Sequence, residues 1–164
     1  MVSDQPFAHK AKYQWDSTPK DADNKKRWRL AALQIGLFSK WLILRDWLDI
    51  GLYRPDHTAE PLAAIEKVKQ GKMTGTDFVL EFMDGALIDD FLVQEAQPFV
   101  HAYYDEYLRD FASVVGDKVF EAEENEVDYS QIAGRIDAAY KTFITPPSTS
   151  PIQNFIDRLF GKRG

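Results

Sequence analysis

The 164-residue chain contains no cysteine, and it has no uncharged apolar run long enough to span a membrane. Without cysteine there are no disulfides, no thiolate chemistry and no zinc site that uses sulfur. The most apolar window, residues 30–50, is interrupted by Lys40, Arg45, Asp46 and Asp49, and a charge at mid-bilayer costs about 2.5–3.5 kcal/mol. The first residues also lack the basic and apolar regions of a signal peptide. These absences predict a soluble, cytoplasmic protein with no membrane partner.

Sequence motifs for catalysis or metal binding are also missing. The stretch Gly71-Lys-Met-Thr74 fails as a phosphate-binding loop, because that motif needs Gly where the chain has Glu66 and Ser or Thr where it has Met73. No Ser-His-Asp order, His-Glu-x-x-His or Gly-x-Ser-x-Gly pattern is present. The carboxylates of residues 121–128 alternate like calcium ligands, but the central glycine and the final bidentate glutamate of that motif are missing. We therefore predict no catalytic residue, no metal and no cofactor.

What the chain does contain is a strongly acidic middle, residues 74–128, which we name the acidic block. It holds fifteen Asp and Glu but only two basic residues, Arg109 and Lys118, and so carries a formal charge of −13. Weakly basic flanks bring the whole chain to −6. A negative field attracts cationic partners and disfavours nucleic acid. The charge pattern therefore predicts a cationic protein partner.

Apolar residues recur every three to four positions along most of the chain, which indicates helices. The strongest pattern predicts a long apolar helix near residues 28–50, closed by Gly51. Further helices are predicted at residues 58–70, 74–84, 90–115 with a kink at Pro98 or a restart near Ala96, 128–143 and 151–160. No segment has the pattern of a strand. The expected fold is all-α, an irregular bundle of five to seven helices around the long apolar one.

The chain divides by composition into four parts. Residues 1–24 form a polar N-terminal arm, in which two aromatic residues, Tyr13 and Trp15, are expected to hold the arm to the core. Residues 25–143 form the helical domain, and the Pro- and Ser-rich residues 144–150 form a linker. The final helix, residues 151–164, is expected to pack on the same domain or on a partner, and a homodimer is one such arrangement.

Two groups in the acidic block are the candidate partner-binding surface. One lies on the helix predicted over 90–115 and consists of Tyr103, Tyr104, Asp105, Glu106, Tyr107 and Asp110. The other is a loop that carries Glu121, Glu123, Glu124, Glu126 and Asp128. Tyrosine is enriched in interface hot spots, and carboxylates speed the encounter with a cationic partner. The alternatives are that some tyrosine rings belong to the core and that the loop is simply a solvated charged segment.

Other charged residues leave two further hypotheses open. His101 and Asp105 share a helix face, and with Asp89 and Asp90 they could form the carboxylate and histidine site of a small enzyme. The acidic block could instead serve the solubility of a non-catalytic scaffold. The basic cluster at residues 25–29 is expected to be a solvated helix start or an intramolecular partner of the acidic block.

Several short stretches match, in order, those of an uncharacterised bacterial family. They are Tyr13–Trp15, Gly36–Trp41, Gly71–Phe78, Pro98–Leu108, and then Tyr129, Ile132, Ile136, Asp137 and Tyr140. Over residues 10–143 the chain thus resembles small acidic helical proteins of the kind that includes toxin-immunity proteins. The resemblance implies an antitoxin-like protein that binds a cationic toxin or effector domain and blocks its active site. It implies no catalytic residue.

Overall fold

The computed structural model describes residues 7–51 and 56–145, and this part of the chain is mostly helical. It contains five α-helices: α1 (Asn24–Leu44), α2 (Ala59–Lys69), α3 (Gly75–Phe82), α4 (Gln97–Val115) and α5 (Tyr129–Ile144). Short 3-10 helices lie at Ala11–Ser17, Asp89–Phe91, Gln94–Ala96, Gly116–Lys118 and Glu124–Glu126. The predicted all-α class is confirmed. Most of the predicted linker, from residue 146, and the predicted helix at 151–164 lie outside the described residues.

Helix α1 is the centre of the core. Asp23 caps it by accepting a hydrogen bond from the Lys26 N–H at 2.9 Å. From residue 30 to residue 43 every side chain except that of Lys40 is buried, which explains why apolar residues cover so much of its circumference. The predicted end at residue 50 is wrong. Helix α1 stops at Leu44 because Asp46 adopts a positive φ of 57°, and residue 48 pairs instead with residue 92 in an isolated bridge.

A small antiparallel sheet, which the sequence did not predict, ties the N-terminal arm to the domain. Strand β1 (Ala8–Lys10) pairs with β2 (Ala86–Ile88), with His9 opposite Leu87. Three residues are too few to give a readable alternation of apolar and polar positions. Next to the sheet, the Phe7 N–H donates to Asp89 Oδ2 at 2.9 Å. Residues 7–23 are therefore packed on the helical domain.

Helices α1 and α3 cross at two glycines. A Cβ atom on Gly36 would lie 2.5 Å from the Thr76 Cα atom, and one on Gly75 would collide with the carbonyl oxygen of Gly36. No side chain therefore fits at the crossing, and the two backbones touch. Thr74 caps α3 as predicted, because its hydroxyl accepts a hydrogen bond from the Asp77 N–H at 3.0 Å.

Helices α4 and α5 pack together on the other side of α1. Pro98 lies in the first turn of α4, so of the two predicted alternatives the restart near Ala96 is confirmed and the kink is not. Helix α5 starts after Asp128, as its capping pattern predicts, and buries Ile132 and Ile136. Helix α2 ends next to Gly71, which has a φ of 70° and serves as the predicted stop.

Candidate functional site

A cleft of about 1020 Å³ opens between the start of α1, helix α3 and the residues that precede α5. Its apolar lining includes Trp28, Met73, Leu80, Val127 and Tyr129. Its charged lining consists of Lys25, Arg29, Lys40, Lys72, Asp77, Glu81, Asp84 and Glu124. A concave surface that combines apolar side chains with a few convergent polar groups is the usual form of a binding site.

The helix crossing explains why these side chains meet. Lys25 and Arg29 are four residues apart and share one face of α1, and Asp77 and Glu81 share one face of α3 in the same way. The contact at Gly36 brings α3 against α1, so that the basic face of one helix and the acidic face of the other line the same cleft. Regular helices on both sides give the cleft rigid walls.

Two ion pairs neutralise part of the charge in the cleft. Arg29 Nε lies 3.1 Å from Asp77 Oδ1, and Lys40 Nζ lies 3.8 Å from Glu124 Oε1. Four exposed groups remain, and none of them forms an ion pair with a described residue: Lys25, Lys72, Glu81 and Asp84. The cleft therefore has free charges of both signs.

Trp28 is held in place from one side and open on the other. Its ring centre lies 4.5 Å from that of Trp15, and 39% of Trp28 remains exposed. Trp15 is itself fixed by Arg27, whose guanidinium carbon lies 4.0 Å from the Trp15 ring centre. The same guanidinium donates to Trp15 O at 3.1 Å and to Thr18 Oγ1 at 3.0 Å. Trp28 thus presents an ordered aromatic surface to the cleft.

Glu124 is a structural residue at the floor of the cleft. Its carboxylate accepts hydrogen bonds from Gly75 N at 3.1 Å, Thr76 N at 2.8 Å and Thr76 Oγ1 at 2.8 Å. Its side chain is only 8% exposed. A carboxylate at a helix N-terminus binds free N–H groups and interacts favourably with the helix dipole. The prediction that Glu124 contacts a partner is therefore wrong, because both of its carboxylate oxygens already accept hydrogen bonds from the first residues of α3.

The chain matches the model of a domain of unknown function, DUF7832, over residues 9–126. It belongs to this family. The matched residues run from β1 to the loop after α4, so they include both helical walls of the cleft and Glu124. No curated protein and no solved structure matches the chain.

Most of the other carboxylates in the loop before α5 of this DUF7832 protein cap the start of a helix. The Glu123 N–H donates to Glu126 Oε2 at 2.8 Å, within a capping box around Glu124–Glu126. Asp128 accepts from the Ser130 hydroxyl and N–H and from the Gln131 amide, and these bonds lower the pKa of the Asp128 carboxyl. Glu121 remains exposed. Local structure thus explains most of the loop that we predicted as a partner surface.

The three predicted tyrosine anchors belong to the core. Tyr103, Tyr104 and Tyr107 are 5%, 2% and 1% exposed. The Tyr107 hydroxyl donates to Gln34 O at 2.6 Å, and the Tyr103 hydroxyl donates to Asp110 Oδ2 at 2.7 Å. Burial raises the pKa of all three phenols. The prediction that these rings anchor a partner is therefore wrong.

The three carboxylates predicted beside the tyrosines separate into two groups. Asp105 and Glu106 are exposed on α4, as a partner-binding residue requires. Asp110 is not free, because it also receives a hydrogen bond from Arg135 Nη1 at 3.2 Å. Glu106, Asp110 and Arg135 line a shallower groove of about 480 Å³ between α4 and α5.

His101 pairs with a different carboxylate from the one that its helix spacing predicts. Its Nε2 atom lies 2.6 Å from Asp89 Oδ1, whereas no hydrogen bond joins it to Asp105. The pair connects α4 to the 3-10 helix at Asp89–Phe91, next to the arm. None of the four residues proposed for an enzyme site, His101, Asp105, Asp89 and Asp90, lines the two clefts described above.

Residues 7–51 and 56–145 contain no group of three or more His, Asp or Glu that could hold a metal ion. They also contain no helix with the length and apolarity needed to cross a membrane.

Sequence reasoning missed the residues that make the cleft. The cluster at 25–29 was expected to be a solvated helix start or a partner of the acidic block; Arg29 pairs with Asp77 of that block, whereas Lys25 and Lys26 are exposed at the start of α1. Trp28 could have been singled out, because a large apolar ring among charged residues indicates packing against another part of the chain or binding to a partner. Met73 and Leu80 join it only through the helix crossing, which no local pattern indicates.

Proposed function

We propose that this DUF7832 protein is an immunity protein, which neutralises a bacterial toxin or effector domain by binding it and blocking its active site. The observation that supports the proposal best is the cleft, in which exposed Trp28 lies together with Glu81 and Asp84, two carboxylates without an ion pair to a described residue. The resemblance of the sequence to immunity-type families supports the same class of function.

The chemistry of the cleft suits an inhibitor. Tryptophan is among the residues that most often dominate a protein interface, because it loses a large apolar area to the partner when it is covered. Trp28 is already ordered by Trp15, so little conformational freedom is lost on binding. The formal charge of −6 of the whole chain attracts a cationic partner and speeds association, while Glu81 and Asp84 supply the carboxylates of the cleft beside the equally exposed Lys25 and Lys72. We place the protein in the cytoplasm, where such a toxin acts.

The proposal is tested with the protein encoded beside this gene. That neighbour is expressed in bacteria with and without the DUF7832 protein, and growth is measured. We expect the neighbour alone to arrest growth and the wild-type chain to restore it. Purified proteins are expected to form a complex by isothermal titration calorimetry. A neighbour that is harmless alone and does not bind the purified chain would contradict the proposal.

A matched pair of variants connects neutralisation to the cleft. Trp28→Ala should raise the dissociation constant by roughly 30-fold or more, the effect of an interface hot spot of about 2 kcal/mol. Tyr13→Ala is the control, since Tyr13 is 59% exposed and does not line the cleft, so its removal should leave affinity unchanged. Equal affinities of the two variants for the toxin would exclude the cleft as the inhibitory surface.

A further inference from the structure

We propose that the cleft recognises an arginine side chain, by stacking its guanidinium on Trp28 and pairing it with Glu81 and Asp84. This inference rests on the proposed function, because it assumes that the arginine belongs to a partner protein. It also names the chemical group of the partner that enters the cleft.

The protein already contains one guanidinium on this aromatic pair. Arg27 lies over Trp15 at 4.0 Å, and Trp15 packs at 4.5 Å against Trp28. Planar guanidinium groups stack on indole rings through cation–π attraction and are less strongly hydrated than ammonium groups. An arginine over the exposed part of Trp28 would make the same kind of contact that Arg27 makes with Trp15.

Helix α3 already carries one ion pair between a carboxylate and a guanidinium of the kind that we propose. Arg29 binds Asp77 at 3.1 Å inside the same cleft. Glu81 lies four residues after Asp77, about one helical turn further along α3, and Asp84 follows the helix. Both free carboxylates are near the C-terminus of α3, where the helix dipole adds negative potential. A second guanidinium one turn beyond Arg29 therefore meets two carboxylate groups and can bind them through several donors.

Two lysines of the cleft oppose a cationic ligand. Lys25 and Lys72 are exposed and have no ion pair with a described residue, so they repel an incoming guanidinium. This repulsion gives the proposal an independent test, because removal of Lys25 should strengthen arginine binding while removal of the carboxylates weakens it. Opposite effects from two neutralised groups cannot result from general damage to the fold.

The experiment uses the full-length chain labelled with nitrogen-15 and three small probes. N-acetyl-arginine amide is compared with N-acetyl-lysine amide and with N-acetyl-citrulline amide, which has nearly the same shape as the arginine probe but no charge. The chain has four tryptophans, so the Trp28 indole N–H signal is assigned by its loss in Trp28→Phe. We expect a saturable shift of this signal with arginine, a weaker effect with lysine and none with citrulline.

Variants decide whether the named carboxylates are responsible. Glu81→Gln/Asp84→Asn should weaken arginine binding by about tenfold or more, equivalent to roughly 1.4 kcal/mol, and Lys25→Gln should strengthen it. Equal shifts with arginine and citrulline, or unchanged affinity in the carboxylate variant, would overturn the proposal. Arginine binding without toxin binding would refute the proposed function alone, whereas toxin binding without arginine binding would refute this inference alone.

Discussion

The backbones of Gly36 and Gly75 are in contact where α1 crosses α3, with no room for a Cβ atom on either residue. This contact sets the distance between the two walls of the cleft. It also accounts for the presence of glycine at both positions. Both residues lie within the part of the chain that matches DUF7832.

The first prediction concerns this crossing. Gly36→Ala should lower the free energy of unfolding by about 1–3 kcal/mol, because the new methyl group forces α3 away from α1. Urea denaturation of the purified variant measures the change. Gly134→Ala is the control, since Gly134 lies in α5 with nothing within 4 Å of an added Cβ, and alanine there should stabilise the helix by up to about 1 kcal/mol. Similar effects of the two substitutions on the free energy of unfolding would contradict the close contact between α1 and α3 at Gly36.

The second prediction concerns Glu124. Glu124→Ala leaves the Gly75 and Thr76 N–H groups without an acceptor, and each unsatisfied group costs about 1–3 kcal/mol. Unfolding by urea should therefore begin at a clearly lower concentration than in the wild type. Glu121→Ala, on the same loop, removes an exposed carboxylate and should change stability by no more than about 0.5 kcal/mol. If Glu124 were only a partner-binding residue, the two variants would be equally stable.

The third prediction is that the free energy of unfolding depends on pH through His9. This side chain is buried in β1, and burial lowers the pKa of its imidazole although Asp105 acts in the opposite direction. The folded state therefore binds its proton less readily than the unfolded state, whose pKa is about 6.5. The stability that depends on neutral His9 is complete above pH 6.5 and is lost as the pH falls below that value towards the folded pKa.

A replacement without a titratable group tests this dependence. His9→Phe keeps an aromatic ring against Tyr104, 5.2 Å away in the wild type. The loss of stability between pH 7.5 and pH 5.5, measured by urea denaturation, should be smaller in this variant than in the wild type. His57→Phe, at an exposed position, should retain the wild-type loss. An undiminished loss in His9→Phe would show that other groups cause the effect.

The fourth prediction concerns association with the proposed toxin partner. Glu81→Lys/Asp84→Lys should reduce the association rate constant by about tenfold or more at low salt and flatten its dependence on ionic strength. Glu60→Lys/Glu95→Lys makes the same change in net charge at exposed positions outside the cleft and should have a smaller effect. Stopped-flow measurements at several salt concentrations compare the two. Equal rate reductions would mean that net charge alone attracts the partner.

Helix caps and stops that depend on neighbouring residues could be predicted well from the sequence. The caps at Thr74 and Asp128 and the stop at Gly71 depend on residues within three or four positions, and all three are present. The all-α class follows from the same periodicity. The end of α1 could not be predicted, because apolar residues continue to Ile50 while the backbone turns at Asp46.

Most of the residues predicted to bind a partner have structural roles instead, and several of these roles depend on contacts between distant residues. Phe99, Tyr103, Tyr107 and Phe111 recur every four residues, which is the pattern of a buried helix face, and the tyrosines could have been assigned to the core on that signal. The hydroxyl group of Tyr107 is tolerated there because it donates to Gln34 O, 73 residues away. No local pattern reveals such a partner.

The hydrogen bonds of Glu124 to Gly75 and Thr76 have a consequence for the lifetime of the folded domain. They join positions 49 and 48 residues apart, so an unfolded chain loses much entropy in bringing them together. The two N–H groups acquire a common direction only when α3 is helical. We therefore expect these bonds to form after the folding transition state, so that breaking them accelerates unfolding and leaves the folding rate nearly unchanged. The loop before α5 then determines how long the domain stays folded rather than how fast it folds.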